Sequence, residues 1–450
     1  MSGSYYFGTD GIRGTVGKEK INPLTSLKLG WSAGRVLAEN CSSNTLIIGK
    51  DTRVSGYMIE SALVSGILSA GVNIKLLGPM PTPAISYLTH TFRASGGIVI
   101  SASHNPYYDN GVKFFDSNGR KISSALERKI EEQLVSSDFN CSPSSELGKV
   151  IRIPDAYGRY IEYCKSHFLL NKNLRGLKLV VDCANGATYN IAPSVFHELG
   201  AEVIPISIKP DGFNINKDCG ATYPELISRE VLKHKADLGL SIDGDGDRLV
   251  MSDHLGNIAD GDDILYIWIK DLLLHNELNG GVVGTVMSNL SLEMFCKNSG
   301  VDFIRSSVGD KNVVDCLINK GWLIGGEPSG HLINLNYGTT GDSIISAILV
   351  LKAMLRSGKS LNESLQGFVK TPRVLKSIAC PSVDYLSIRG FQQLLDESES
   401  SLQKINGRLL VRKSGTEDVL RVLVESVDLE LNQLIFDRFE DIILSNKNFV

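Results

Sequence analysis

Six residues set apart by residue type and spacing can do chemistry in this chain: Ser103, Lys113, Asp243, Asp245, Asp247 and Arg248. Ser103 lies in S-A-S-H-N-P (101–106), directly after the apolar run 97–100, which reads as a buried strand. Open α/β sheets place their ligand chemistry at the carboxyl ends of such strands, and Pro106 stops onward pairing. A serine so placed is a candidate to carry a phosphoryl group. The three aspartates occupy D-G-D-G-D-R (243–248) at every second position, separated by glycines that let the backbone fold their carboxylates around one cation. Hard oxygen ligands select Mg²⁺. An EF-hand loop would carry a Glu eleven residues after Asp243, where His254 stands, so that geometry is excluded. Without a counter-ion, three carboxylates after a buried strand repel one another.

Other loops add to this chemistry. Arg248 is placed to steady the phosphate that the cation polarises, and His104 and Lys113 flank Ser103 as candidates for proton transfer to or from a sugar hydroxyl. Lys113 sits in a strand pattern between Val112 and Phe114, so its side chain points away from theirs. In G-E-P-S-G-H (326–331), Glu327 and Ser329 can hydrogen-bond vicinal hydroxyls. R-K-S-G-T-E (412–417) combines Arg412, the hydroxyls of Ser414 and Thr416, and the backbone of Gly415, the composition of a phosphate cradle, with Arg421 nearby. There is no G-x-x-x-x-G-K-[ST], so ATP is not expected. In the opening F-G-T-D-G-I-R-G (7–14), glycines allow close backbone approach and Arg13 can reach a phosphate with its planar fork.

The elements that must hold these loops alternate. Strands at 45–49, 72–77 and 97–100 enclose helices at 55–70 and from 82, with Ser55 expected as an N-cap and Gly71 as a stop. A strand returns at 111–115, and a Ser-rich stretch at 138–148 marks a boundary. The plan restarts with helix 157–168, strands 177–182, 203–206 and 238–242, and helices 191–199 and 224–234. It starts again with helix 263–274, strands 281–286, 302–304 and 322–325, and helices 292–298, 310–319 and 343–355. After about 368, strands 374–379, 408–411 and 419–424 alternate with helices 387–402 and 431–444. The expected fold is α/β: three related α/β domains with mixed parallel sheets and a smaller C-terminal α+β domain. The expected boundaries are 1–152, 153–256, 257–367 and 368–450.

At 450 residues the chain is too long for one core. A net charge of −4 argues against a nucleic-acid partner, and no apolar run is long enough to span a membrane. The opening residues 1–6 carry no basic region followed by an apolar stretch, so a signal peptide is not expected, and the eight scattered cysteines form no C-x-x-C, so reduced thiols in the cytoplasm are expected.

The four loops, in this order, resemble the signatures of the α-D-phosphohexomutases. The opening motif and Y-Y-D-N-G-V-K-F-F (107–115) are most similar to the bacterial phosphoglucosamine mutases within that family. Pro328 and Asp418 depart from the family's pattern. The resemblance covers essentially the whole chain. It implies a heart-shaped molecule with a central cleft, phosphoserine at Ser103, and one Mg²⁺ on Ser103, Asp243, Asp245 and Asp247. Sugar contacts from Glu327 and Ser329, and a distal phosphate on Arg412, Ser414, Gly415 and Thr416, follow likewise. So do proton-transfer or positioning roles for Arg13, Lys113 and His331. The implied reaction interconverts glucosamine 6-phosphate and glucosamine 1-phosphate through a glucosamine 1,6-bisphosphate, on the route to UDP-N-acetylglucosamine, in a monomer or homodimer. Rival readings are a phosphomannomutase or phosphoglucomutase of the same family, a Mg²⁺-dependent sugar phosphatase, and a non-catalytic sugar-phosphate sensor.

Overall fold

The computed structural model describes residues 6–8, 10–39, 41, 43–136, 139–380, 385–413 and 418–445. They form two compact units, residues 1–285 with 304–366 and residues 286–303 with 367–450.

The first unit opens with β1 (Ile12–Thr15), α1 (Pro23–Ala38), β2 (Thr45–Lys50), α2 (Ser55–Ser69), β3 (Asn73–Pro79), α3 (Thr82–Thr91), β4 (Gly96–Ile100), β5 (Asp109–Asp116), α4 (Ser124–Val135) and β6 (Val150–Arg152). These give a six-stranded sheet in the order β1-β5-β4-β2-β3-β6. Its centre is parallel, but β5 runs antiparallel to both β4 and β1. β4 is buried at every position, as its unbroken apolar run requires. Ile48, Ile98 and Ile100 pack with Leu63, Ile67 and Phe114 in the core beneath it.

Next come α5 (Ala156–Ser166), β7 (Lys178–Asp182), α6 (Ile191–Glu198), β8 (Glu202–Ile206), α7 (Pro224–His234), β9 (Leu238–Ile242), β10 (Leu249–Asp253) and β11 (Ile258–Ala259), with sheet order β11-β10-β9-β7-β8. The run continues with α8 (Gly261–Leu274), β12 (Val282–Thr285), α9 (Leu290–Asn298), β13 (Phe303–Ser306), α10 (Asp310–Lys320), β14 (Ile324–Gly326), β15 (Leu332–Asn334), α11 (Ser343–Ser357) and α12 (Leu361–Ser364). The third sheet has the order β13-β12-β14-β15.

The second unit holds α9 and an antiparallel sheet, β16-β18-β17, from β16 (Arg373–Ala379), β17 (Arg408–Lys413) and β18 (Val419–Glu425), backed by α13 (Phe391–Gln403) and α14 (Leu429–Ser445). Phe391, Phe436 and Phe439 fill its core.

One rule recurs. The Ser103 loop joins β4 to β5, the aspartate loop joins β9 to β10, and the Glu327 loop joins β14 to β15. Each pair is antiparallel and adjacent. The sequence places each loop at the end of a strand; the structure makes each the tip of a hairpin whose return strand fixes both ends. One local expectation is corrected and one helix is added. Ser55 is the first residue of α2 rather than its N-cap, because Val54 before it already holds helical φ and ψ; Ser55 Oγ instead accepts Asn110 Nδ2 at 2.8 Å. Residues 23–38, outside the expected elements, form α1; Asn22 caps it by accepting Thr25 N–H, and Pro23 sits in its first turn.

Candidate active site

Ser103 is 1% exposed and holds φ at +51°, a left-handed conformation that costs a residue with a side chain about 1–3 kcal/mol. Its hydroxyl donates to Asp243 Oδ2 at 2.7 Å and stands 3.4 Å from His104 Nδ1. The two loops approach closely: a Cβ on Gly244 would lie 2.7 Å from the Ser103 carbonyl oxygen, so only glycine fits there.

Asp243, Asp245 and Asp247 are all buried, and one ligand oxygen from each lies within 4.8 Å of the others. Burial pushes the Asp243 carboxyl well up, and the charges of Asp247 and Asp245 push it further. Asp243 Oδ1 accepts the N–H groups of Asp247 and Arg248, both at 3.1 Å, which curls the loop. Thr82 Oγ1 donates to Asp245 Oδ2 at 2.6 Å, and Asp245 Oδ1 and Asp247 Oδ1 are buried without a hydrogen bond among the described residues. Hard, converging oxygens with orphaned lone pairs fit a divalent metal ion.

Lys113 comes from β5, between Val112 and Phe114 as its strand position requires, and is itself buried. Its Nζ lies 2.7 Å from Asp245 Oδ2, 3.4 Å from Asp247 Oδ2 and 3.2 Å from Asp10 Oδ2. Burial alone would lower its pKa; the three carboxylates outweigh that and hold it well above its ordinary value. Asp10 also pairs with Arg13 and Lys121, and Lys121 bridges on to Asp310. His331 closes the chain, with Nε2 3.3 Å from Asp310 Oδ2 and Nδ1 3.6 Å from Asp247 Oδ1. Burial opposes its charge, but Asp247 and Asp310 raise its pKa to about 8. Gly341 N–H donates to the same Nε2 at 3.2 Å, a contact that uses the ring's lone pair in its neutral form, while the two carboxylates favour the charged form. His104 is the opposite case. Burial, reinforced by the charges of Arg248 and Arg13, lowers its pKa to about 4, so it is neutral at pH 7.

Arg248 Nε sits 3.9 Å from Asp247 Oδ1, and both Arg248 Nε and Arg13 Nε are buried without a hydrogen bond among the described residues. Glu327 Oε1 accepts Gly309 N–H at 2.9 Å, Ser329 Oγ donates to Glu327 Oε2 at 3.4 Å, and Glu327 is one of the carboxylates acting on Arg248. The structure therefore gathers Arg13, Ser103, His104, Lys113, the three aspartates, Arg248 and His331 into one set of contacts, with Glu327 and Ser329 beside Arg248.

Arg412 belongs to the second unit. It stands opposite Arg421 across the β17–β18 pair, and both line a pocket of about 300 Å³ with Lys376 and Ser377. Ser414, Gly415 and Thr416 lie outside the described residues. Asp10, Lys121, Asp310, Asp51, Arg53 and Asn216 were not singled out from sequence. Asp10 sits inside the quoted opening motif, where its spacing from Arg13 was the available signal.

Models of the phosphoglucomutase/phosphomannomutase family match residues 4–140 (alpha/beta/alpha domain I), 158–256 (domain II), 260–371 (domain III) and 402–442 (C-terminal domain). The phosphoglucosamine mutase of Pseudoalteromonas atlantica is 55% identical over 429 residues, 95% of each chain. That of Pasteurella multocida is 52% identical over 447 residues, covering 99% of this chain and 100% of the relative. Among solved structures, a phosphoglucomutase/phosphomannomutase family protein from Burkholderia thailandensis superposes with a TM-score of 0.81 at 22% identity, covering 97% of this chain and 98% of its own. The Aspergillus fumigatus N-acetylphosphoglucosamine mutase, in complex with GlcNAc-6P and magnesium, gives 0.67 at 17% identity, covering 98% and 95%. At those identities the structures speak for the fold, while the near-full-length relatives and the four ordered domain matches place the chain itself: it belongs to the phosphoglucomutase/phosphomannomutase family of α-D-phosphohexomutases.

Proposed function

We propose that this chain is a phosphoglucosamine mutase that works through phospho-Ser103. The observation that carries the reading is the 2.7 Å contact between Ser103 Oγ and Asp243, inside a carboxylate cluster built for a cation. The substrate class follows the relatives, 52–55% identical and named phosphoglucosamine mutase.

Phospho-Ser103 gives its phosphoryl group to the free 1-hydroxyl of glucosamine 6-phosphate. The P–O bond to Ser103 breaks, a P–O bond to the sugar forms, and the hydroxyl proton leaves. The resulting 1,6-bisphosphate turns over, and its 6-phosphoryl group returns to Ser103, leaving glucosamine 1-phosphate and a proton restored to O6. His104, neutral at pH 7, is the acceptor for the departing proton; His331 and Lys113, both charged, are the donors and charge stabilisers. Arg13 and Arg248 bring buried guanidinium N–H groups to phosphoryl oxygens. Glu327 and Ser329 orient sugar hydroxyls. Arg412, with the loop of Ser414, Gly415 and Thr416, holds the phosphate that is not reacting. Asp243, Asp245 and Asp247 would hold Mg²⁺, which would supply Lewis-acid withdrawal of charge from the phosphoryl oxygens. The four sheets correspond in this reading to domains 1–152, 153–256, 257–367 and 368–450.

The test compares turnover of glucosamine, glucose and mannose 6-phosphates with Mg²⁺ and a trace of hexose 1,6-bisphosphate, in the unaltered chain and in Ser103→Ala. Preference for the amino sugar and near-complete loss in the variant are expected. Equal rates on glucose or mannose phosphate remove the substrate assignment, and wild-type rates in Ser103→Ala remove the phosphoserine.

A further inference from the structure

A closed ring of hydrogen bonds begins and ends on the backbone of Ser103. Its N–H donates to Ser101 Oγ at 2.9 Å, and Ser101 Oγ donates to Asp51 Oδ2 at 2.5 Å. Asp51 Oδ2 accepts Arg53 Nε at 2.8 Å, and Arg53 Nη2 donates back to the Ser103 carbonyl at 2.9 Å. Arg53 is 1% exposed, and every N–H of its guanidinium is used: besides Asp51 and Ser103 it reaches the carbonyls of Asn105 at 2.8 Å, Asp109 at 3.1 Å, and Pro106. A second donor meets the same loop from the segment that follows β8. Asn216 Nδ2, between β8 and α7, donates to the Ser103 carbonyl at 2.9 Å and to the Asn105 carbonyl at 3.1 Å. Two side chains, one from the loop after β2 and one from the loop after β8, therefore bridge the same pair of carbonyls.

We propose that Arg53 and Asn216 are positioning residues that aim Ser103 Oγ for phosphoryl transfer. The proposal rests on the mutase reading and deepens it. Ser103 stays left-handed only while its surroundings over-determine it, and relaxation toward extended backbone would swing Oγ away from Asp243. Neither Arg53 nor Asn216 is assigned to substrate; both hold the peptide planes on either side of the reacting residue. Phosphoryl transfer depends almost wholly on position and field, so a small shift of this oxygen is felt in the chemical step rather than in binding.

The variants are Asn216→Gly, which removes the amide and suits φ of +56° at that position, Asn216→Asp, which faces two carbonyls with a carboxylate of the same size, and Arg53→Lys, which keeps the charge beside Asp51 but not the fork. Steady-state turnover of glucosamine 6-phosphate is measured together with phosphate release from phospho-Ser103 and the circular-dichroism melt. A misplacement of roughly 1 Å costs about 100-fold, so kcat is expected to fall about 10- to 100-fold in each variant, with KM within about twofold. Phosphate lost to water per turnover should rise, and the melt of Asn216→Gly should stay near that of the unaltered chain, whereas Asn216→Asp, with its carboxylate against two carbonyls, should also melt lower. Unchanged kcat in both Asn216 variants overturns the proposal. So does a loss of kcat matched by the loss of folded protein, with no added phosphate leak. If the unaltered chain neither interconverts the sugar phosphates nor carries phosphate on Ser103, the mutase reading fails and this proposal falls with it; full activity in the unaltered chain and in the variants overturns the positioning role alone.

Discussion

Lys113 Nζ lies 2.7 Å from Asp245 Oδ2, and the two residues come from different sheets, one from the return strand of the serine hairpin and the other from the tip of the aspartate hairpin. This contact joins the first two loops into one site. It also places a positive charge among the three buried carboxylates: a lysine fixed in a strand interior pairs with two of them.

Removing that lysine should therefore cost both fold and chemistry. Lys113→Met leaves Asp10, Asp245 and Asp247 facing one another, and taking one partner from a buried ion cluster typically costs about 3–5 kcal/mol. Turnover should fall by about 10²–10⁴ if Lys113 also supplies a proton or a charge in the transition state. Urea unfolding with and without Mg²⁺ checks the first part: the ion should stabilise the variant more than the unaltered chain, because it replaces the missing positive charge. Equal stabilisation would show that Lys113 does not screen the metal ligands.

The same logic gives a metal titration. An ion that binds only the folded state stabilises by about 2.7 kcal/mol at a hundredfold excess over Kd. Raising Mg²⁺ should move the thermal midpoint of the unaltered chain upward and leave Asp245→Asn nearly unmoved, since that change removes a charge and an orphaned acceptor from the cluster. A full shift in Asp245→Asn would place the ion elsewhere.

His331 predicts a pH dependence. Its pKa is raised from 6.5 to about 8, so its stabilising charge is fully present below about 6.5 and is lost as pH rises through 8. At 1.36 kcal/mol per unit the contribution is about 2 kcal/mol. In metal-free buffer, the stability advantage of the unaltered chain over His331→Gln should shrink by that amount between pH 6 and pH 9. A gap that widens with pH would mean the imidazole is neutral and the two carboxylates do not control it.

Much of this site is written in residue types, and some of it cannot be. Apolar runs ending in polar loops mark where Ser103, Asp243 and Glu327 fall, because a buried strand must be continuous and a loaded loop must break it. The runs carry no direction, so the antiparallel return of β5, β10 and β15 is not legible in them. Asp310 reads as an ordinary first-turn acid of α10, favourable at a helix N-terminus, although it also pairs with Lys121 and His331. Arg53 leaves the least trace: four of its acceptors are backbone carbonyls, which have no signature in sequence. α1 is obscured by Gly30 and Gly34, which weaken a helix on propensity.

Those glycines make the last prediction, because they separate packing from propensity. A Cβ on Gly66 of α2 would lie 2.0 Å from the Leu27 carbonyl oxygen and 2.7 Å from Trp31 N, and one on Gly30 of α1 would lie 2.3 Å from the Leu63 carbonyl oxygen. All of these are backbone atoms and cannot step aside, so the two helices cross with their main chains nearly touching. Gly34 differs: its nearest neighbours would be Ala70 Cβ at 3.4 Å and Ile67 Cα at 3.5 Å, an ordinary contact. Gly66→Ala and Gly30→Ala should each destabilise by about 1–3 kcal/mol or more through overpacking. Gly34→Ala should be neutral or stabilise by up to about 1 kcal/mol, the helix preference of alanine over glycine. Urea unfolding of the three single variants decides it. If Gly34→Ala is as damaging as the other two, the α1–α2 crossing is closer at that end than the structure has it; if all three are harmless, the close approach of the two helices is wrong.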